Sequence, residues 1–313
     1  GDMSSVKMAK SGAPPVGGSF DLDEALKSAA AAAEQMLDQC LPRPSGLHAR
    51  IHEAMRYPVF AGGKRLRPFL TLQSAHLFGV PQESALRTAA AIEAVHTYSL
   101  VHDDLPCMDN DDLRRGRPTT HKAFDEATAV LAGDALLTIA FEILADVKTH
   151  PSADVRCKLV ARLAQAAGAD GMIGGQMIDM LAPTHRFGRD EIVLLQQLKT
   201  GALFEFCCEA GAILGGASAD HRERMLAYAR AFGLAFQISD DLLDVTSTAE
   251  KAGKSVGKDT AQGKATLVSI QGVAAARAEV KALAREAAAL LEPYGPAADP
   301  LRALPASLLD RES

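Results

Sequence analysis

Two aspartate clusters carry the chemistry of this 313-residue chain, Asp103-Asp104-Leu105-Pro106-Cys107-Met108-Asp109 and Asp240-Asp241-Leu242-Leu243-Asp244. Each lies in an apolar, helix-forming stretch, where grouped carboxylates repel one another and serve no packing purpose unless a cation sits between them. The partner they predict is a divalent metal. Asp240 and Asp244 stand one turn apart on a shared helix face, with Asp241 about 100° around the helix. Oxygen donors so spaced suit Mg²⁺, which needs few carboxylates, keeps several waters and completes its shell with phosphate oxygens of a substrate. In the first cluster Pro106 should break the helix and let Asp109 fold back toward Asp103.

Positive charge is concentrated close by. Five aspartates within residues 103–112 are followed at once by Arg114, Arg115 and Arg117, so acidic metal ligands and phosphate-binding guanidiniums come together. Helix capping or solvated charge would explain one such cluster alone, but two in apolar surroundings weigh against it. Lys64 and Arg67, opening a helix after Gly62-Gly63, offer an anion a mobile point charge and a planar fork. His96 precedes Asp103 by seven residues, on nearly the same helix face, and could donate to a diphosphate; a core histidine bonded to a carbonyl is the alternative. Lys254, Lys258 and Lys264 form a third concentration of positive charge.

These residues must be positioned by helices. Apolar residues make up 48% of the chain, Trp is absent and Tyr occurs four times, so its Ala/Leu-rich segments favour helix over sheet. An all-α, single-domain bundle is expected over residues 19–313, preceded by a disordered lead-in over 1–18. Asp21 should cap a first helix to Cys40. Further helices are predicted over 47–57, 64–77, 83–105, 122–146, 152–169, 190–215, 221–245, 263–292 and 300–311, and both aspartate clusters fall at C-terminal ends of long apolar ones. Anions there oppose the helix dipole, a conflict that metal binding would remove.

Composition excludes several classes. A net charge of −6 gives no global attraction to nucleic acid, and no nucleic-acid motif is present. Five cysteines, odd in number and without CxxC spacing, argue against a disulfide framework or zinc site and predict a reducing cytoplasm. No signal peptide, lipid anchor or transmembrane span is evident, so stable membrane anchoring is not expected.

Taken together, Gly62–Pro68, His96–Pro118, Leu131–Leu136, Gly174–Asp179, Lys199–Leu203 and Phe236–Asp244 resemble the trans-isoprenyl diphosphate synthases, from about residue 24 to the end. The resemblance implies a homodimeric, all-α prenyltransferase whose two aspartate-rich helices face each other across a deep cavity. It implies three Mg²⁺, held chiefly by Asp103, Asp109, Asp240 and Asp244 against an allylic diphosphate, with Asp104 as a further catalytic carboxylate. Arg114, Lys199, Gln237 and one lysine of Lys254, Lys258 and Lys264 would surround that diphosphate. Gly63, Lys64, Arg67, His96 and Arg115 would hold isopentenyl diphosphate, and carbonyls near Lys199-Thr200 would stabilise an allylic cation.

Product length should depend on what blocks the cavity below the first cluster. Tyr98 and Ser99 precede Asp103 by five and four residues, about 6–7.5 Å along a helix, and a ring there makes a floor. In the family an aromatic residue at this position goes with the C15 product, farnesyl diphosphate; the string Leu105–Gly116 also resembles geranylgeranyl (C20) synthases. Phe204, Phe206, Cys207 and Cys208 leave a second contribution to cavity shape open. Terpene cyclases share the helical fold but normally carry an Asn/Ser/Glu motif in place of Asp240–Asp244, and a silent subunit of a heteromeric synthase would be expected to lose aspartates or basic residues retained here.

Overall fold

The structure, a computed structural model, describes residues 20–250 and 264–311; the lead-in over 1–18, Lys254 and Lys258 lie outside the described residues. It is all-α apart from one two-residue hairpin. Helix α1 (Leu22–Cys40) begins where the Asp21 carboxylate accepts the Glu24 N–H at 3.1 Å, and ends before Pro42. Next come α2 (Ala49–Val59) and α3 (Leu66–Leu77), and then α4 (Gln82–Asp103), the helix that carries the first cluster. Ala89, Ala90, Ala91 and Ala94 of α4 are fully buried, and these small side chains admit its neighbours closely.

After the first cluster the chain makes a hairpin, β1 (Leu113–Arg114) against β2 (Arg117–Pro118), with Arg114 opposite Arg117. Arg115 and Gly116 both have positive φ, the backbone of a tight two-residue turn. A one-turn helix α5 (Thr120–Ala123) leads to α6 (Glu126–Ala145), capped by Asp125, which accepts the Thr128 N–H at 2.7 Å. By length and composition α6 could cross a membrane, but it packs against α4 and half of it is buried in the bundle.

Helices α7 (Ala153–Ala167), α8 (Met172–Leu181) and α9 (Arg189–Gln196) follow. A π-helical turn over Gln197–Gly201 joins α9 to α10 (Ala202–Leu214). In α10, Phe204, Phe206, Cys207 and Cys208 have no exposed surface, so they form core and not cavity wall; burying each ring contributes about 1.5–3 kcal/mol. Helix α11 (Ala219–Glu250) carries the second cluster. Beyond it lie α12 (Leu267–Gln271), α13 (Val273–Leu290) and α14 (Asp299–Ser307).

Four expectations need correction. The predicted helix over 190–215 is interrupted by the π-helical turn, and that over 263–292 is divided at Gly272, whose φ of +90° no helix accommodates. Helix α8 was not expected, and Gly174 and Gly175, poor helix formers, stand within it. The second cluster does not end its helix: α11 runs on to Glu250, so Asp240–Asp244 sit away from the terminal carbonyls and the dipole conflict applies to the first cluster alone. The five cysteines are all free.

Candidate active site

Two cavities flank the C-terminal half of α4, and Arg67, His96 and Leu100 line both. The first, of about 460 Å³, is cationic: Lys64, Arg67, Arg114, Arg115, Arg117 and Arg311 converge on it with Asp104 and Asp240. The second, of about 540 Å³, is largely apolar and lies below Asp103, walled by Tyr98, Leu105, Met108, Met172, Met177 and Leu203. Lys199 and Thr200 line its rim.

The cationic cavity is built by glycine and by an ion pair. Gly62 and Gly63 take positive φ, and a Cβ on Gly63 would stand 2.9 Å from Arg115 Nη2, so only glycine lets that guanidinium lie across the loop. Arg115 Nη1 donates to the Gly62 carbonyl at 2.9 Å. Arg65 supports the loop from beneath. It is buried, donates to Glu93 at 3.1 Å and to the Val59 carbonyl, and anchors the start of α3 while Lys64 stays exposed. Arg67 lies 4.7 Å over the Phe204 ring, and its buried Nε has no partner among the described residues. Burial, reinforced by Arg67 and Arg115, pushes the His96 imidazole well below its usual range, so it is neutral 3.4 Å from Arg67 Nη1. An unpartnered guanidinium edge in a cationic pocket is the mark of an anion site.

The first cluster folds back as its proline requires. Asp103 is the last residue of α4, and the Asp109 N–H donates to the Asp103 carbonyl at 2.8 Å. Burial pushes the Asp103 carboxyl up to about 6, with Asp109 and Asp104 adding to the rise and Lys199 opposing it; burial raises Asp109 as well. Asp104 turns the other way. It is buried in the cationic cavity and accepts both Arg114 Nε at 2.9 Å and Nη2 at 2.8 Å. Arg114, expected beside the allylic diphosphate, thus lies in the cationic cavity with Arg115, forked onto Asp104.

In the second cluster burial raises the Asp240 carboxyl, and Arg311 Nη2 opposes this by donating to Oδ1 at 2.6 Å. Asp244 and Gln237 are half-buried on the same helix. Among the described residues no three carboxylates or other metal-binding side chains form a ready cage. That fits Mg²⁺ better than a metal held by protein alone, because it binds through one or two carboxylates plus waters and substrate phosphates. Asp103 and Asp109 are raised by burial and by neighbouring carboxylates and Asp240 by burial, and Asp244 lies one turn from Asp240 on α11, a set of hard oxygen donors that fits the metal.

Lys199 and Lys264 meet on Asp179, which closes the Gly174–Asp179 string but was given no role from the sequence. Asp179, buried on α8, accepts Lys199 Nζ at 2.7 Å and Lys264 Nζ at 3.2 Å on each oxygen. Burial raises its carboxyl, yet the two lysines outweigh that and hold it below the usual value. A Cβ on Gly175 would stand 2.2 Å from the Lys199 amide nitrogen, so this glycine seats α8 against the π-helical turn and presents Lys199 and Thr200 to the apolar cavity. The signal was legible: Asp179 is the sole charge in the decapeptide Met172–Leu181, and a buried charge is almost always paired. Arg311 and His102 were likewise given no role, and Arg311 is distant in sequence from the residue it meets.

The sequence profile of the family described as polyprenyl synthetase matches residues 48–292. The chain belongs to that family. It is similar to the farnesyl diphosphate synthase of Geobacillus stearothermophilus, 43% identical over 82% of this chain and 87% of the relative. It is also similar to the geranylgeranyl diphosphate synthase of Cyanophora paradoxa, 42% identical over 90% and 93%. A solved FPP/GFPP synthase from Zymomonas mobilis superposes with a TM-score of 0.84 at 49% identity, over 92% of this chain and 98% of that one. This polyprenyl synthetase is therefore a trans-isoprenyl diphosphate synthase, a prenyltransferase of a family that binds isoprenyl diphosphates and uses a divalent metal.

Proposed function

We propose that the enzyme condenses isopentenyl diphosphate with dimethylallyl and then geranyl diphosphate, and stops at farnesyl diphosphate. The observation that carries this is Tyr98, which is 8% exposed and lines the apolar cavity beneath Asp103 together with Ser99. A ring about 7.5 Å below the cluster leaves room for a short prenyl chain and closes the path to a longer one. Relatives named for farnesyl and geranylgeranyl products match at 43% and 42% identity, so overall similarity does not choose between lengths and the wall must.

In this reading the cationic cavity takes isopentenyl diphosphate through Gly63, Lys64, Arg67, His96 and Arg115. The allylic diphosphate sits between Asp103 and Asp109 on one side and Asp240 and Asp244 on the other, its prenyl tail in the apolar cavity. Three Mg²⁺ on these carboxylates would supply charge neutralisation of the leaving diphosphate. Lys199 and Lys264 bind the same oxygens as the C–O bond breaks, Gln237 donates beside them, and Thr200 turns its carbonyl toward the developing allylic cation. Arg114 holds Asp104 and so keeps the post-cluster turn in place. The apolar walls exclude water, which would otherwise capture the cation.

The enzyme is proposed to work as a cytoplasmic homodimer. Val130 and Leu131 of α6 and Ile173, Met177, Met180 and Leu181 of α8 are exposed apolar side chains of the kind a subunit interface covers. Free cysteines throughout support a reducing compartment. Incubation with dimethylallyl and isopentenyl diphosphates and Mg²⁺, followed by dephosphorylation and mass spectrometry, should give farnesol. Geranylgeraniol as the main alcohol would overturn the C15 assignment.

A further inference from the structure

We propose that Gly133 is a specificity-determining residue: by having no side chain it seats the His102 imidazole behind Tyr98, so that a His102–Tyr98 pair forms the floor of the prenyl cavity. This rests on the reading of the apolar cavity as the prenyl seat and of Tyr98 as its floor.

The geometry is a three-layer stack running from α6 to the cavity. Gly133 is buried on α6, and a Cβ built on it would lie 2.1 Å from His102 Nε2 and 2.4 Å from Cδ2, inside the ring's own volume. The imidazole therefore occupies the space that a side chain at 133 would fill. There its Nε2 lies 2.9 Å from the Val130 carbonyl, the distance of a hydrogen bond from a ring N–H, and 3.9 Å from Asp134 Oδ1. One turn earlier on α4, Tyr98 meets the same ring edge-on, with centroids 5.3 Å apart and planes at 82°. Tyr98, His102 and Val130 all line the apolar cavity. A tyrosine ring blocks a growing chain only if it cannot swing back, and the imidazole fills the volume into which it would retreat.

Opposite changes at Gly133 and His102 should move product length in opposite directions. Gly133→Ala drives the imidazole off its carbonyl and toward Tyr98, narrowing the cavity and shifting products shorter than wild type. His102→Ala removes the brace, lets Tyr98 withdraw and shifts products longer. Differences of one or two methyl-sized groups in an apolar pocket discriminate by about 10- to 200-fold, so a change of about 10-fold in the ratio of adjacent chain lengths is the expected scale. Because the clash acts through the imidazole, Gly133→Ala should have little effect in a His102→Ala background.

The experiment is the chain-length distribution, in Mg²⁺ with dimethylallyl and isopentenyl diphosphates, of wild type, Tyr98→Ala, His102→Ala, Gly133→Ala and the Gly133→Ala/His102→Ala double variant. Shorter products for Gly133→Ala, longer ones for His102→Ala and a silent Gly133→Ala in the double variant support the inference. A role in folding alone would lower yield or rate without moving the ratio. His102→Ala only removes atoms, so it carries the test even if Gly133→Ala fails to fold. Lengthening by Tyr98→Ala with wild-type distributions for both His102→Ala and Gly133→Ala would overturn this inference and leave the floor reading standing. Unchanged length in Tyr98→Ala would overturn both.

Discussion

The two aspartate clusters look alike in sequence and are held in different ways. Asp103 ends a helix, sits among other carboxylates and has a carboxyl raised to about 6, with Lys199 rather than an arginine as its main opposing charge. Asp240 lies within a helix that continues for ten more residues, and a cation from the far end of the chain, Arg311, is already hydrogen-bonded to it. In the first cluster the resident guanidinium, Arg114, is taken by Asp104, so Asp103 and Asp109 wait for positive charge, whereas in the second the resident cation sits on Asp240 itself and has to be displaced or shared. Equal motifs need not be equally ready.

The largest effect should come from removing either cluster's leading carboxylate. Asp103→Ala and Asp240→Ala are each expected to lower turnover in Mg²⁺ by about 10³-fold or more, the scale of losing electrostatic stabilisation of a leaving group. Circular dichroism should show the helices intact, since neither side chain packs the core. Near-normal turnover in one variant with an intact fold would show that only the other cluster holds the metals, and would break the parallel between them.

Much of this pairing was legible from residue types. Pro106 announced the fold-back that puts the Asp109 N–H on the Asp103 carbonyl, and Asp21 announced the first helix. What was not legible depends on contacts distant in sequence. Arg311 reaches Asp240 across 71 residues and Lys264 reaches Asp179 across 85, and no local pattern encodes either pairing. Glycine weakens an isolated helix, so Gly174-Gly175 gives α8 no local signal, yet Gly175 is required where α8 touches the Lys199 backbone. The π-helical turn at Gln197–Gly201 likewise has no signature in apolar periodicity, which it shifts by only one residue.

A smaller effect sharpens the account of the first cluster. Asp179 keeps Lys199 beside Asp103, so Asp179→Asn should free that lysine and lower kcat while removing two ion pairs that are mostly buried. The stability loss at pH 7 is expected to be about 1–2 kcal/mol. Because the folded-state carboxyl is held below its unfolded value, its contribution is present above about pH 4 and is lost as the pH falls through the folded value. Urea unfolding of metal-free protein should therefore show wild type and variant diverging at neutral pH and converging in acid. A gap independent of pH would mean that packing, and not the lysine pairs, is what Asp179 supplies.

The smallest effect concerns the resident cation of the second cluster. Arg311 and Asp240 are 23% and 41% exposed in their side chains, so water screens their attraction and the pair is worth about 1 kcal/mol or less. In the proposed arrangement, whatever it is worth is offset when a metal takes the same oxygen. Arg311→Ala is accordingly expected to lower the Mg²⁺ concentration for half-maximal activity by up to about 5-fold, the equivalent of that energy. The same variant removes a guanidinium from the cationic cavity, where Arg311 also lies 5.5 Å over the Phe236 ring, so KM for isopentenyl diphosphate should rise. The two changes run in opposite senses, and a Mg²⁺ titration at saturating substrate separates them. An unchanged Mg²⁺ requirement with a raised KM would make Arg311 a substrate contact that shares Asp240 with the metal instead of competing for it, and the second cluster would then be as ready for cations as the first.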